Sequence, residues 1–405
     1  MSRSHLIASD TGYLQVEEDL YDWMVDIRRH VHQYPELSFK EFETAAYIKE
    51  KLTEQGMTYN GGVGKTGVLC TLGEDRSGTP CVALRADMDG LPITENTGLP
   101  YASKNRGVMH ACGHDGHVAM LLGAAVLLKR LPSLPGKIVL IFQPAEEHGN
   151  GASRLVDEGV VNDVGAIFGG HIDTHYLTGQ ITVDHGLICA FADPFSIRII
   201  GKGGHAARPH EAIDAVVAAS SLVLMAQTLV SREVDPNKAE VITIGSFQAG
   251  TAANVIAGEA LLKGTVRSTD QNTRKKTMDG LHRIVNSVAA MYDVRAELVF
   301  EEGLPAVINS QGAAEIARAA AWKVTTVDNV ISQGHPSLGG EDFSFYQQVT
   351  DGCLVRFGGG LGAAAGPSHS ENFNFDERCL RFGAHWFAVV ALEWLRRAEP
   401  VVEIT

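Results

Sequence analysis

Three short apolar segments set the fold class of this chain. They are CVALR (81–85), KIVLIF (137–142) and VGAIF (164–168), and helical patterns follow them at 116–131 and from 151 onward. Apolar strands alternating with helices predict an α/β domain built on a mostly parallel sheet. Upstream, 17–32 and 41–55 read as amphipathic helices, closed by Pro35 and Gly56. After residue 192 the pattern changes to strand (194–200), helix (214–230), two strands (241–247 and 260–267), helix (274–292) and strand (294–300). That order predicts an α+β sandwich. Helix, strand and helix signals then resume at 312–323, 353–357 and 380–397. The expected architecture is thus a catalytic domain formed by 1–191 and 303–405, interrupted by an inserted domain at 192–302. A chain of 405 residues is long enough for two cores.

Charge narrows the function classes. Against 34 Lys and Arg stand 48 Asp and Glu, a formal net charge of -14. Such an acidic surface argues against a nucleic-acid partner. No run of about 18 uninterrupted apolar residues occurs, so no membrane span is expected. The first residues, MSRSHLIASDTG, lack the long apolar core of a signal peptide. The six cysteines stand far apart, which suits reduced thiols and a cytoplasmic location better than a disulfide scaffold.

The residues able to do chemistry sit where the sheet strands end. MHACGHDGH (109–117) packs Cys112, His114 and other metal-competent side chains around two glycines at the start of an apolar helix. Thiolate and imidazole are good ligands for a borderline divalent ion. QPAEE (143–147) follows the strand KIVLIF, and its adjacent carboxylates can divide the work. One can hold metal, while the other stays free as a general base. His171 follows VGAIF. Arg85, Asp87 and Asp89 (RADMDGLP) follow CVALR, and His369 (PSHSENF) follows the strand CLVRF. Any one of these histidines alone would fit packing or capping. Together, at several strand exits, they fit a metal site. Cys112 can also be read as a nucleophile, but no separate Cys–His–Asn/Asp constellation accompanies it.

The chain resembles the M20 family of metallopeptidases, in particular its amidohydrolase branch of hippurate hydrolases, N-acyl-amino-acid hydrolases and auxin-conjugate hydrolases. The resemblance runs in order through RADMDGLP, MHACGHDGH, QPAEE, GGHAARPH, NVIAGEA, GTVRS, GGEDFSFY and HSENFNFDE. It implies two neighbouring divalent ions per subunit, Zn or Mn first and Co or Ni next. It also implies an inserted domain that serves as lid and dimerisation module in a homodimer or homotetramer. The implied ligands are Cys112, His114, Glu147, His171 and His369, with Cys112 where the wider family has a bridging carboxylate. Asp87 and Asp89 would support them from behind, and Glu146 would be the general base. His205 would act on the oxyanion in the partner subunit's site, while Asn254 and Arg267 would contact the substrate. The implied reaction is hydrolysis of the amide bond of a small N-acyl amino acid, with a metallo-dipeptidase or aminoacylase as the alternative. Two departures bear on specificity. Ala257 stands where relatives carry proline, and the loop HIDTHYLTG, with Asp173 and His175, is unusually polar.

Overall fold

The structure is a computed structural model, and it describes residues 14–74 and 78–398. The reading of the extreme N-terminus therefore falls largely outside the described residues. The chain divides into two compact units. The first comprises Met1–Gly186, Ile308–Gly334 and Asp342–Thr405; the second comprises Leu187–Val307 and His335–Glu341. The short return of His335–Glu341 to the second unit was not foreseen.

The first unit is built on an eight-stranded sheet. Its strands are β1 (Tyr59–Val63), β2 (Gly67–Leu72), β3 (Cys81–Asp87), β4 (Lys137–Gln143), β5 (Ala166–Asp173), β6 (Ile181–Thr182), β7 (Val330–Ile331) and β8 (Asp351–Gly358). Their order across the sheet is β1-β2-β4-β3-β5-β8-β6-β7. The central run β4-β3-β5-β8 is parallel throughout. Every residue of β3 is buried, its apolar first half (Cys81–Leu84) as well as the charged Arg85 and Asp87 near its end. The helices are α1 (Glu18–Gln33), α2 (Phe42–Glu54), α3 (His114–Lys129), α4 (Gly151–Asp157), α5 (Gln311–Val324) and α6 (Cys379–Ala398). In α3, residues His114 to Leu128 are all buried. That explains its all-round apolar sequence, since a helix enclosed on every side shows no polar stripe.

Sequence patterning found the long elements to within a few residues. It missed the β1–β2 hairpin and the two-residue strands β6 and β7, which are too short to show a period. It also ended the strand at VGAIF too early. β5 continues to Asp173, so His171 lies on the strand itself and not in a loop after it.

The second unit has a four-stranded antiparallel sheet, ordered Glu240–Ala249, Glu259–Ser268, Phe191–Ile200, Arg295–Phe300. The helices Ala215–Thr228 and Gln271–Tyr292 pack on it. Ala215, Ala218, Ala219, Leu222 and Ala226 turn inward from the first, and Leu281, Ile284, Val285 and Val288 from the second. A π-helical turn, Leu229–Glu233, extends the first helix. By length and composition alone, the resulting Ala215–Glu233 is apolar enough to cross a membrane, which the uninterrupted-run criterion did not detect. Its inward face belongs to the core of the second unit.

Candidate metal centre

Backbone pairing delivers the donors to one end of the parallel strands. Past the end of β3 the chain turns, and Leu91 pairs with Met109 in both directions, at 2.9 and 3.0 Å. This returns the segment 109–113 to the β3 exit. Gly113 then caps α3 with φ of 97°, a conformation that side chains rarely adopt. At Gly116 a Cβ atom would stand 2.5 Å from Ile172 Cδ1 and 2.7 Å from Phe375 Cζ, so the glycine lets α3 lie this close to the end of β5 without displacing either side chain. His369, with φ of 65°, joins the same loop through a backbone N–H that donates to Ala111 O at 2.8 Å.

The donors converge. Cys112 Sγ lies 3.3 Å from His171 Nε2. His369 Nε2 lies 3.3 Å from Glu147 Oε1. His114 Nε2 is 3.9 Å from both Glu146 Oε2 and Glu147 Oε1. Within 4.8 Å of one another fall Cys112, His114 and His171, and likewise Cys112, Glu147 and His369. Cys112 belongs to both groups.

Hydrogen bonds set which ring nitrogen faces inward. His171 Nδ1 donates to Ile172 O at 2.6 Å, which leaves the Nε2 lone pair toward Cys112. His114 Nδ1 lies 3.0 Å from Asp89 O and 3.2 Å from Asp89 Oδ1, so its Nε2 is likewise turned inward. His117 is fully committed elsewhere. Its Nε2 accepts from Ile172 N at 2.8 Å and its Nδ1 donates to Asp87 Oδ1 at 2.5 Å. A third group, Asp87, His114 and His117, is also close enough to hold an ion. The commitment of both His117 nitrogens argues against it.

These donors fit a bound cation. Among the described residues, His114 Nε2 and Glu147 Oε1 are buried with no hydrogen-bond partner, although His369 Nε2 is an ion-pair contact of the latter. That is a costly arrangement for polar atoms that lack another use. Burial opposes a charge on His114, yet Asp87 and Asp89 outweigh it and hold the ring well above the usual histidine range. A buried group of carboxylates this dense demands positive charge, and a metal ion supplies it more fully than one proton. Burial, then Glu147, pushes the Cys112 thiol up to about 12, which is unsuited to a nucleophile and reversible by a coordinated ion. Burial, with His117 and Arg356, keeps His171 well below the usual range and so neutral, as a ligand must be.

Asp89 organises the rest. Its Oδ1 accepts from Glu146 N at 3.2 Å, and its Oδ2 accepts from Glu147 N at 3.1 Å and from Ser38 Oγ at 2.7 Å. One carboxylate thereby positions His114 and the Glu146–Glu147 backbone together. Glu41, buried on the turn before α2, adds an acceptor for Ala145 N at 2.9 Å. Ser38 and Glu41 escaped the sequence reading, because nothing local marks a serine or glutamate as the partner of a distant loop.

The comparisons with known proteins decide the family. Residues 83–393 match peptidase family M20/M25/M40. The chain belongs to peptidase family M20. It is a metal-dependent hydrolase of that family. The N-acetyl-L-cysteine deacetylase of Bacillus subtilis (strain 168) is 42% identical over 83% of this chain and 80% of its own. The IAA-amino acid hydrolase ILR1-like 5 of Arabidopsis thaliana is 39% identical over 94% and 89%. The crystal structure of Bacillus subtilis YXEP, described as a dinuclear metal binding peptidase from the M20 family, superposes with a TM-score of 0.80. It is 35% identical over 94% of this chain and 99% of its own.

Not every residue of the M20 motifs joins the cluster. Asp115 turns away to pair with Arg28 Nε at 2.8 Å and His32 Nδ1 at 2.9 Å. His110 is buried with neither ring nitrogen partnered among the described residues, and burial lowers it to about 4. His175 is exposed and held by Asp173 Oδ1 at 2.7 Å. His205, Asn254 and Arg267 belong to the second unit. There His205 pairs in register with Val255, and Asn254 O accepts from Ala206 N at 3.1 Å, so the GGHAARPH and NVIAGEA motifs adjoin. Arg267 is half-buried on Glu259–Ser268 and makes no hydrogen bond or ion pair among the described residues. Its neighbour Asp193 is taken by Arg274, at 2.6 and 2.7 Å.

Proposed function

We propose that this protein hydrolyses the amide bond of small N-acyl amino acids, of the hippurate, N-acetyl or aryl-acyl kind, releasing a carboxylic acid and a free amino acid. The observation that carries this reading is the joint presence of two ligand groups sharing Cys112 and a carboxylate, Glu146, beside them. The similarity to a deacetylase of N-acetyl-L-cysteine and to an IAA-amino acid hydrolase supports the substrate class.

In this reading Cys112, His114 and His171 would hold one divalent ion, and Cys112, Glu147 and His369 would hold the second. Zn and Mn suit this mixed thiolate, imidazole and carboxylate set best, and Co or Ni follow. When bound, two such ions would supply Lewis acidity for activating a water and polarising the scissile carbonyl. Glu146 removes the proton of the attacking water and returns it to the leaving amine. Asp89 keeps Glu146 in place through its backbone N–H. Arg267 offers an unpaired guanidinium fork to the substrate carboxylate, and Asn254 lies beside the loop of His205. His205 stabilises the developing oxyanion in the site of a partner subunit. Assembly is as a homodimer or homotetramer through the second unit. All six cysteines are free and buried, which supports a reducing compartment, the cytoplasm.

A panel of N-acyl amino acids assayed with metal-reconstituted protein tests the reading. Turnover of acyl amino acids with a free α-carboxylate, and loss of that turnover in Arg267→Ala through KM, is the expected result. Absence of turnover across the panel with both ions bound would refute it.

A further inference from the structure

Arg85 and Asp342 lie outside the proposed ligand set, yet an unbroken run of contacts, buried as far as Ile172 and half-buried at His171, joins them to it. Arg85, on β3, is 1% exposed and Asp342 is 0% exposed. The guanidinium engages Asp342, Asp87 and Gln143 among its partners. Nη2 donates to Asp342 Oδ1 at 2.8 Å, Nη1 to Asp87 Oδ2 at 2.7 Å, and Nε to Gln143 Oε1 at 2.8 Å. Asp342 also accepts from Gln143 Nε2 at 2.9 Å and from Ala152 N at 2.9 Å. Tyr346 donates its hydroxyl to Gln143 Oε1 at 3.1 Å. One ion pair thus ties together the ends of β3 and β4 and the start of α4.

The run continues toward the metal centre. Asp87 spends its second oxygen on His117 Nδ1, at 2.5 Å. That bond leaves His117 Nε2 to accept the backbone N–H of Ile172, at 2.8 Å. Ile172 O in turn takes the Nδ1 proton of His171, at 2.6 Å, and so points His171 Nε2 at Cys112. Each link has a direction. Arg85 orients Asp87, Asp87 sets the His117 tautomer, and His117 pins the peptide that orients His171.

We infer that Arg85 and Asp342 are positioning residues for the ion held by Cys112, His114 and His171, acting through Asp87, His117 and the Ile172 peptide. The inference rests on the ligand assignment proposed above. It applies to one ion and not to both, because the other ligands have separate anchors. Glu147 is held by Asp89 Oδ2 and the preceding turn by Glu41. His369 is held through Ala111 O. An arginine is needed at this place because only a planar fork meets Asp342, Asp87 and Gln143 at once.

The test titrates metal-free protein with Zn²⁺, reading stepwise affinities by calorimetry and bound stoichiometry by native mass spectrometry. Wild type should take two ions. Asp342→Asn preserves size and should weaken one step by about ten- to a hundredfold, the range for groups behind a metal ligand. The other step should stay unchanged. His117→Asn should weaken the same step, and the double variant should lose little more, since both cut one relay. Arg85→Lys keeps the charge while breaking the fork, and should show the same selective loss should Asp342→Asn fail to fold. Wild-type affinity for both ions in either folded variant would overturn the inference. Equal weakening of both steps would overturn it as well, since that is the mark of general loosening. His171→Ala is the control for the ligand assignment. It must lose the same ion, and if it retains two, the assignment itself falls and takes the inference with it.

Discussion

The Asp89 carboxylate lies 3.2 Å from His114 Nδ1, and together with Asp89 O at 3.0 Å it decides which nitrogen of His114 faces Cys112 and Glu147. Because the same carboxylate also accepts from Glu146 N and Glu147 N, its loss disturbs a ligand and the base together. Asp89→Ala should therefore lower Zn²⁺ affinity by about ten- to a hundredfold. It should also lower kcat in protein saturated with metal. Calorimetric titration and steady-state kinetics at saturating Zn²⁺ separate the two effects. Normal kcat at full loading would show that Asp89 serves the ligand alone.

Glu146 and Glu147 should part company when each is changed. Glu146→Gln should retain both ions and lose activity by about 10²- to 10⁴-fold, the usual contribution of a general base. Glu147→Gln should lose an ion. Metal content by mass spectrometry reads both, and the reverse pattern would exchange the two roles.

Cys112 should behave as a ligand. Chelation should abolish activity, and added Zn²⁺ should restore it. Its buried thiol, raised to about 12 by burial and by Glu147, should react slowly with iodoacetamide in chelated protein at neutral pH. An acyl thioester on Cys112, trapped with substrate and seen by mass spectrometry, would contradict the hydrolytic scheme.

His32 should give the fold a pH dependence. Burial lowers its affinity for the proton, but hydrogen bonds to Asp115 and Glu95 outweigh burial and raise it above 6.5. A raised folded value means that the folded state holds this proton more tightly than the unfolded chain. The stabilisation is full below the unfolded value and is lost as pH rises through the folded one. Urea unfolding of chelated His32→Gln should show a shallower decline of stability with rising pH than wild type, in scans from about pH 5 to about pH 9. Parallel declines would exclude His32 as the group responsible.

His205 should act across subunits. Mixing and reassembling inactive His205→Ala with inactive Glu146→Gln should restore part of the activity, because one site in each heterodimer then has both residues intact. A lost oxyanion donor costs roughly 10²- to 10³-fold in turnover, so partial recovery is well within reach of measurement. Heterodimers without activity would place His205 in its own subunit's chemistry or outside catalysis.

What this sequence determined alone was whatever its chemistry marks locally. Apolar runs announced β3, β4 and β5, and dense donor motifs announced Cys112, His114, Glu146 and Glu147, because strand burial and metal ligation each need particular residue types at short spacing. Tertiary structure decided what depends on distant partners. Only the return of the chain from Leu91 to Met109 brings Cys112 to the β3 exit. Only the folded chain shows that Cys112 belongs to two ligand groups while Asp115, three residues further on, serves Arg28 and His32 instead. Arg85 and Asp342 are 257 positions apart, and no periodicity or composition connects them. Their pairing exists because burial leaves a charge little choice of partner, and burial is a property of the fold.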